Sequence, residues 1–253
     1  AYGALAASVR LGSGYPGTPS TEILETLAKI GGAAEWAPNE KVALEVGIGV
    51  SFGGGRSIVT MKHVGLNVAA DPLFTLTYTG VNGGLVIVSA DDPGLASSQN
   101  EQDNRNYAKA AKMLMLEPAD SQEAYDFTIR AFELSERFNT PVLLRMTTRV
   151  CHSQTVVDLH GEAEPFRQKP YVKNIQKNVM VPAFAKKAHV RLENTMKELA
   201  EFAETSDLEQ VKSGSPELGV ICSGIAWQHV CEAAPEASVL KLGFTWPLPM
   251  KRI

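Results

Sequence analysis

Glu40 opens the segment EKVALEVGIGVSF, in which Ala43, Leu44, Gly47 and Ser51 recur at helical spacing as an apolar, small-residue face. An ionisable group at the head of such a face has two readings. A carboxylate in the first turn of a helix is favoured by the helix dipole, wherever its side chain points. If instead it enters a cleft lined by Ala, Val and Gly, removal from water lets it hold or share a proton with a ligand near neutral pH. Gly47 and Gly49 sharpen the question, because each costs about 1 kcal/mol against Ala inside a helix. Something is expected to approach this helix closely.

Three more side chains are candidates by type and place. His63, in TMKHVGLN, follows a β-branched run, and Arg105, in SSQNEQDNRNYAKAA, follows the acid-rich loop after VIVSADDPG. Both fall where parallel strands end, which is where open α/β sheets bind ligands. A buried structural histidine is the plain alternative for His63. For Arg105 it is a surface pair with Glu101, of little energetic weight; recognition of an anion by the planar guanidinium is the sharper reading. Thr18, in GYPGTPST, reads as a helix N-cap with Pro19 at the first helical position and Gly14 and Gly17 permitting a tight turn. The same turn also lies at the end of a strand. The GGG at 53–55 belongs to neither a G-x-x-x-x-G-K-[ST] loop nor a strand-following G-x-G-x-x-G, and reads as a helix stop.

The elements that must position these groups alternate. SVRLGSGY is expected as a strand, TEILETLAKIGG as a helix striped by Ile23, Leu24, Leu27 and Ile30, then come the Glu40 helix and the strand RSIVTM. A helix over 66–80, the continuous apolar strand GGLVIVSAD, a helix over 100–116, a helix over 119–138 and the strand PVLLRMTT follow. Asp120 and Glu123 have capping-box spacing. Strand–helix alternation of this kind predicts an α/β fold, a parallel sheet covered on both faces. Residues 151–187 lose periodicity and read as a polar linker; 188–253 resume with one amphipathic helix, two strands and a short helix, part of a second α/β domain.

Composition narrows the function classes. The chain has 253 residues, 44% hydrophobic and 21% charged, with a net charge of −4, so it carries core material and no basic footprint for nucleic acid. No apolar run reaches the roughly 20 residues needed to span a bilayer, and the N-terminus lacks a signal-peptide pattern. Cys151, Cys222 and Cys231 are far apart with no C-x-x-C pair, which argues against a disulfide framework and against a metal or cluster site held by this chain alone. A cytoplasmic setting is expected.

Several long stretches, in fixed order, resemble one family. GYPGTPSTEILETL, APNEKVALEVGIGVSFGGGRSIVTMKHVGLNVAADPL, VSADDPGLASSQNEQDNR and LLRMTTRVCHS are similar to the thiamine-diphosphate subunit of indolepyruvate:ferredoxin oxidoreductases, within the wider 2-oxoacid:ferredoxin oxidoreductases. The likeness covers residues 1–153 and resumes in GVICSGIAWQHVCEAAPEASVLKLGFTWPLP. It implies that 1–150 form a thiamine pyrimidine-binding domain and 188–253 part of a transketolase C-terminal-like domain. Glu40 would bond the pyrimidine ring nitrogen N1′ and share its proton, with Gly17 and Gly47 allowing close approach of the cofactor; Thr18, Arg105 and His63 would face the substrate. The implied reaction is oxidative decarboxylation of a 2-oxo acid, an arylpyruvate such as indolepyruvate, to acyl-CoA. The Gly-Asp-Gly…Asn segment that holds the diphosphate through Mg2+ is not in this sequence, nor are cysteines for [4Fe-4S] clusters. The resemblance therefore implies a diphosphate-binding domain and iron–sulfur region elsewhere, a second oxidoreductase subunit, ferredoxin, coenzyme A and an oligomer. A non-oxidative thiamine decarboxylase or synthase half, and a non-catalytic scaffold homologue, are the competing readings.

Overall fold

A computed structural model describes residues 1–160 and 169–253. The chain opens with α1 (Tyr2–Ala6), β1 (Leu11–Gly14), α2 (Thr21–Lys29), β2 (Ala34–Trp36) and α3 (Glu40–Phe52). It continues through β3 (Ser57–Lys62), α4 (His63–Val68), α5 (Ala70–Thr79), β4 (Leu85–Asp91), α6 (Arg105–Ala111) and β5 (Leu114–Leu116). Next come α7 (Ser121–Phe138), β6 (Val142–Thr147) and α8 (Thr148–Cys151), then α9 (Ile175–Asn178) and α10 (Pro182–Ala203). The last elements are β7 (Gln210–Lys212), β8 (Ser215–Ser223), α11 (Ala226–Ala233), β9 (Ala237–Leu242) and β10 (Phe244–Trp246).

The main sheet has the order β10-β5-β6-β4-β3-β1-β2. Every pairing in it is parallel except β10 with β5. Buried side chains alternate between its faces. Val86 and Val88 of β4 pack with Leu24, Leu27 and Phe132 on the face covered by α2 and α7, and Leu85 and Ile87 pack with Ala43, Leu44 and Leu73 on the face covered by α3 and α5. The continuous apolar run of β4 thus has the cause expected of it, burial on both sides.

The strand order also contains a reversal. From β1 the chain crosses by α2 to β2 on one side; from β2 it crosses back by α3 to β3, on the other side of β1. The two crossover helices lie on opposite faces, so the carboxyl ends of β1 and β3 flank a crevice, the switch point at which open α/β sheets take ligands.

Some elements differ from expectation. The stretch 100–116 is not one helix: Lys112 adopts a left-handed φ of 56°, closes α6, and releases Leu114–Leu116 to pair with β6. An apolar run of three is compatible with either structure, and the open edge of β6 decides it. The helix expected from His189 begins earlier, at Pro182, a residue suited to a first helical turn. The Asp120 cap accepts from Glu123 N at 2.9 Å, while Glu123 Oε2 accepts from Ala119 N at 2.8 Å.

After α10 a second, three-stranded sheet forms in the order β7-β9-β8. It is tied to the first by Lys241 of β9, 1% exposed, whose ammonium donates to Glu123 of α7 and lies 5.5 Å from the Trp227 ring. Burial pushes the Lys241 ammonium down to about 8. No helix among the described residues is long and apolar enough to cross a membrane.

Candidate active site at the β1–β3 crevice

Glu40 is the first residue of α3, and Asn39 fixes that start by accepting a hydrogen bond from Val42 N at 3.0 Å. The helix lies against β1 and β3 through its small face, where Gly47 is essential: a Cβ there would sit 2.4 Å from Val59 Cγ2. The element that Gly47 admits is therefore β3. Glu40 itself is 8% exposed. Its side chain rests on α4, where a Cβ at Gly65 would come within 2.6 Å of both Glu40 Cγ and Oε1. No described residue donates a hydrogen bond to its carboxylate. A largely covered carboxylate with open hydrogen-bonding capacity is available to a ligand, beyond the favourable place it has at the N-terminus of α3.

The turn before α2 forms the opposite lip. Thr18 is exposed and its peptide bond to Pro19 is cis. It is not the N-cap, and Pro19 is not the first helical residue: α2 begins at Thr21 with Ser20 before it. The turn is held through Gly17, whose N–H donates to Thr21 Oγ1 at 2.8 Å and whose carbonyl accepts from Ser20 Oγ at 2.8 Å. Two side-chain hydroxyls have replaced the single cap that the sequence suggested, and they leave Thr18 free at the crevice. Gly17 in turn packs on the stem of Lys62, the last residue of β3, with 3.1 Å between its ideal Cβ and Lys62 Cδ.

His63 is completely buried, so it does not line an open cleft. Its Nε2 donates to the Asn100 carbonyl at 2.8 Å, and its own carbonyl accepts from Asn104 Nδ2 at 3.3 Å. It pins the 92–104 loop to the end of β3. Nδ1 is buried with no partner in the structure.

Arg105 is exposed and does not pair with Glu101. Its Nε and Nη2 both bond Asp103, each at 2.8 Å, and Glu101 instead accepts from Gly94 N at 3.1 Å. The Asp103 hydrogen bond raises the Arg105 guanidinium further above its ordinary range. A two-residue separation at the start of α6 brings the Asp103 carboxylate to the fork in place of Glu101. The arginine that the sequence reading missed is Arg145 of β6, 8% exposed. Its Nε bonds Asp91 at 2.7 Å and its Nη1 bonds Glu117 at 3.1 Å. Asp91 is further held by Ser89 Oγ at 2.8 Å, and Asn104 Nδ2 bonds Ser89 Oγ at 2.7 Å. The signal was available: a lone charge inside the apolar run PVLLRMTT must find a buried partner.

Next to this network, burial pushes the Asp92 carboxyl up, but hydrogen bonds from Ser98 Oγ, Ser97 N and Thr148 Oγ1 outweigh it and hold the group at about 2. The loop 92–104 is thus a braced wall of the crevice. A cavity of about 550 Å3 lies on the α1–α2–α7 side and includes none of Thr18, Glu40, Lys62, His63 or Arg105. Among the described residues no cluster of His, Cys, Asp or Glu could hold a metal ion.

A family model described as pyruvate flavodoxin/ferredoxin oxidoreductase, thiamine-diphosphate-binding, matches residues 2–211. The chain belongs to this family. Among its relatives is the indolepyruvate oxidoreductase subunit IorA of Methanothermobacter thermautotrophicus, 46% identical over 256 residues that cover 97% of this chain and 41% of the relative. The IorA of Archaeoglobus fulgidus is 41% identical, covering 100% of this chain and 43% of the relative. The 2-oxoglutarate synthase subunit KorA of Methanocaldococcus jannaschii is 30% identical over 70% of this chain and 51% of its own length. The chain thus spans about two-fifths of the length of the IorA proteins it matches. In structure it is similar to a 2-oxoglutarate:ferredoxin oxidoreductase from Magnetococcus marinus, with a TM-score of 0.75 at 17% identity over 99% of this chain and 53% of that one, a likeness of fold. The family's cofactor is thiamine diphosphate, and the chemistry of Glu40 fits its pyrimidine end: the carboxylate is largely covered, accepts no hydrogen bond from a described residue, and is held in place against Gly65.

Proposed function

We propose that this chain supplies the pyrimidine-binding side of a thiamine-diphosphate-dependent 2-oxoacid:ferredoxin oxidoreductase that decarboxylates an arylpyruvate, such as indolepyruvate, oxidatively to its acyl-CoA. The observation that carries the reading is Glu40, covered, seated on Gly65 and bonded to nothing in the described chain. When bound, thiamine diphosphate supplies a stabilised carbanion equivalent for breaking the bond between the keto carbon and the carboxylate. What this chain would contribute is a partner for proton sharing: Glu40 would bond the ring nitrogen N1′, and its largely covered seat would strengthen that bond. The exposed Thr18, on the Gly17 turn, would meet the substrate.

In this reading residues 1–150 are the pyrimidine-binding domain, 151–187 a connection and 188–253 part of a second α/β domain. Mg2+ and the diphosphate are held by another domain, the [4Fe-4S] clusters by an iron–sulfur region, and the complex includes a second oxidoreductase subunit, ferredoxin and coenzyme A. The names of the IorA and KorA relatives, each described as a subunit, support such an assembly. The test is reconstitution of the full-length subunit with its partner and a dye acceptor. Coenzyme A-dependent reduction should be faster with indolepyruvate than with pyruvate or 2-oxoglutarate and should require thiamine diphosphate; reduction that ignores the cofactor, or that favours 2-oxoglutarate, overturns the reading.

A further inference from the structure

Lys62 is the cation that the crevice holds in reserve. It ends β3, the strand on one side of the switch point, and its aliphatic stem lies along the Gly17 turn that ends the other strand, β1. Its ammonium crosses to the third wall and donates to the Ser97 carbonyl at 2.8 Å. An ammonium has three donors, so this leaves two to offer. No described carboxylate forms an ion pair with it, although Glu40 and Asp92 belong to the same crevice. Glu40 faces Gly65, three residues further along the chain, and Asp92 is already saturated by Ser97, Ser98 and Thr148. The contrast with the neighbouring cations is direct. Arg105 is closed by Asp103, Arg145 by Asp91 and Glu117, and Lys41 by Asp71 at 2.9 Å.

We propose that Lys62 binds the carboxylate of the 2-oxo acid, and that the turn at Gly17 and the Ser97 carbonyl fix its ammonium for that purpose. The inference rests on the reading of the site given above and adds a named residue for substrate recognition. Half-burial of the stem against Gly17 removes rotamers the ammonium would otherwise sample, so less order is lost when an anion arrives. An ammonium meeting a carboxylate forms a charge-assisted hydrogen bond, stronger than one between neutral groups. Arg105, the more obvious anion receptor by type, would first have to release Asp103.

The experiment uses the full-length enzyme assembled with its partner subunit and compares wild type, Lys62→Met and Lys62→Arg. Two competitive inhibitors serve as probes, an arylpropionic acid and its uncharged amide, with arylpyruvate-dependent dye reduction as the readout. The Met side chain keeps the stem against Gly17 and deletes the charge. The expected result is a rise of about tenfold or more in the inhibition constant of the acid and in the substrate KM, with the amide unchanged and the acid preference kept in Lys62→Arg. An acid-to-amide ratio in Lys62→Met equal to wild type overturns the inference, whether both constants rise or neither does. Should Lys62→Met not fold, Lys62→Gln carries the same comparison. A wild-type complex that turns over no 2-oxo acid refutes the proposed function itself, which is a different outcome from an unchanged ratio in an active enzyme.

Discussion

The seat of Glu40 on Gly65 makes a prediction that separates function from stability. In Gly65→Ala the new methyl would lie 2.6 Å from Glu40 Cγ and Oε1 and 2.9 Å from Cδ. Ordinary contact begins near 3.4 Å, so the carboxylate must retreat by about 0.8 Å. The atoms displaced are the far end of a flexible side chain, and an off-rotamer adjustment costs about 0.5–1.5 kcal/mol. Against that, Ala in place of Gly within α4 gains up to about 1 kcal/mol. The thermal midpoint should therefore shift little in either direction. Catalysis should not be spared, because a misplacement of about 1 Å in a reacting geometry costs on the order of 100-fold. The assay is the thiamine diphosphate concentration dependence of 2-oxo-acid-dependent dye reduction, measured beside the thermal midpoint. Turnover and cofactor dependence within about threefold of wild type would refute the reasoning, since Glu40 would then not depend on Gly65 for its position.

Other outcomes follow from the same geometry. Gly47→Ala should lower stability by about 1–2 kcal/mol, because its Cβ would strike Val59 Cγ2 at 2.4 Å, whereas Gly49→Ala, with nothing within 4 Å, should raise it by up to about 1 kcal/mol; paired denaturation curves read the opposite signs. Arg145→Met should cost about 3–5 kcal/mol by leaving Asp91 and Glu117 buried without their counter-ion, and Asp91→Asn with Glu117→Gln in the same chain should recover much of that loss. Asp92, held at about 2 against an ordinary 3.8, binds fewer protons folded than unfolded between those values, so its contribution is present above about pH 4 and is lost as pH falls toward 2. The stability difference between wild type and Asp92→Asn should accordingly shrink across that window.

Much of the main sheet was legible in the sequence because burial on both faces leaves an unbroken apolar run. Leu85–Asp91 and Val142–Thr147 were expected as strands for that reason, and the stripe of Leu24 and Leu27 placed α2. What escaped were elements too short to show a period. Ala34–Trp36 is a half-exposed edge strand of three residues, and Leu114–Leu116 owes its strand state to the vacant edge of β6 rather than to its own composition. The site divides in the same way. Glu40 stood out as a carboxylate among small residues, but Gly65, which receives it, is an ordinary glycine until the two helices are placed against each other. His63 and Arg105 were located at the correct strand ends, yet their partners come from the folded loop, Asn100 in one case and Asp103 in the other. Arg145 and Lys62 have opposite fates for a reason that only coordinates supply: β6 delivers its cation to two buried carboxylates and β3 delivers its own to a backbone carbonyl.

The most direct measurement is cofactor-dependent turnover of a 2-oxo acid by the assembled enzyme carrying Glu40→Gln, an isosteric change that keeps the shape of the seat and removes the acid. A fall of about 100-fold or more with an unchanged thermal midpoint is the predicted result. Turnover within a few fold of wild type would contradict the assignment of this carboxylate to the pyrimidine.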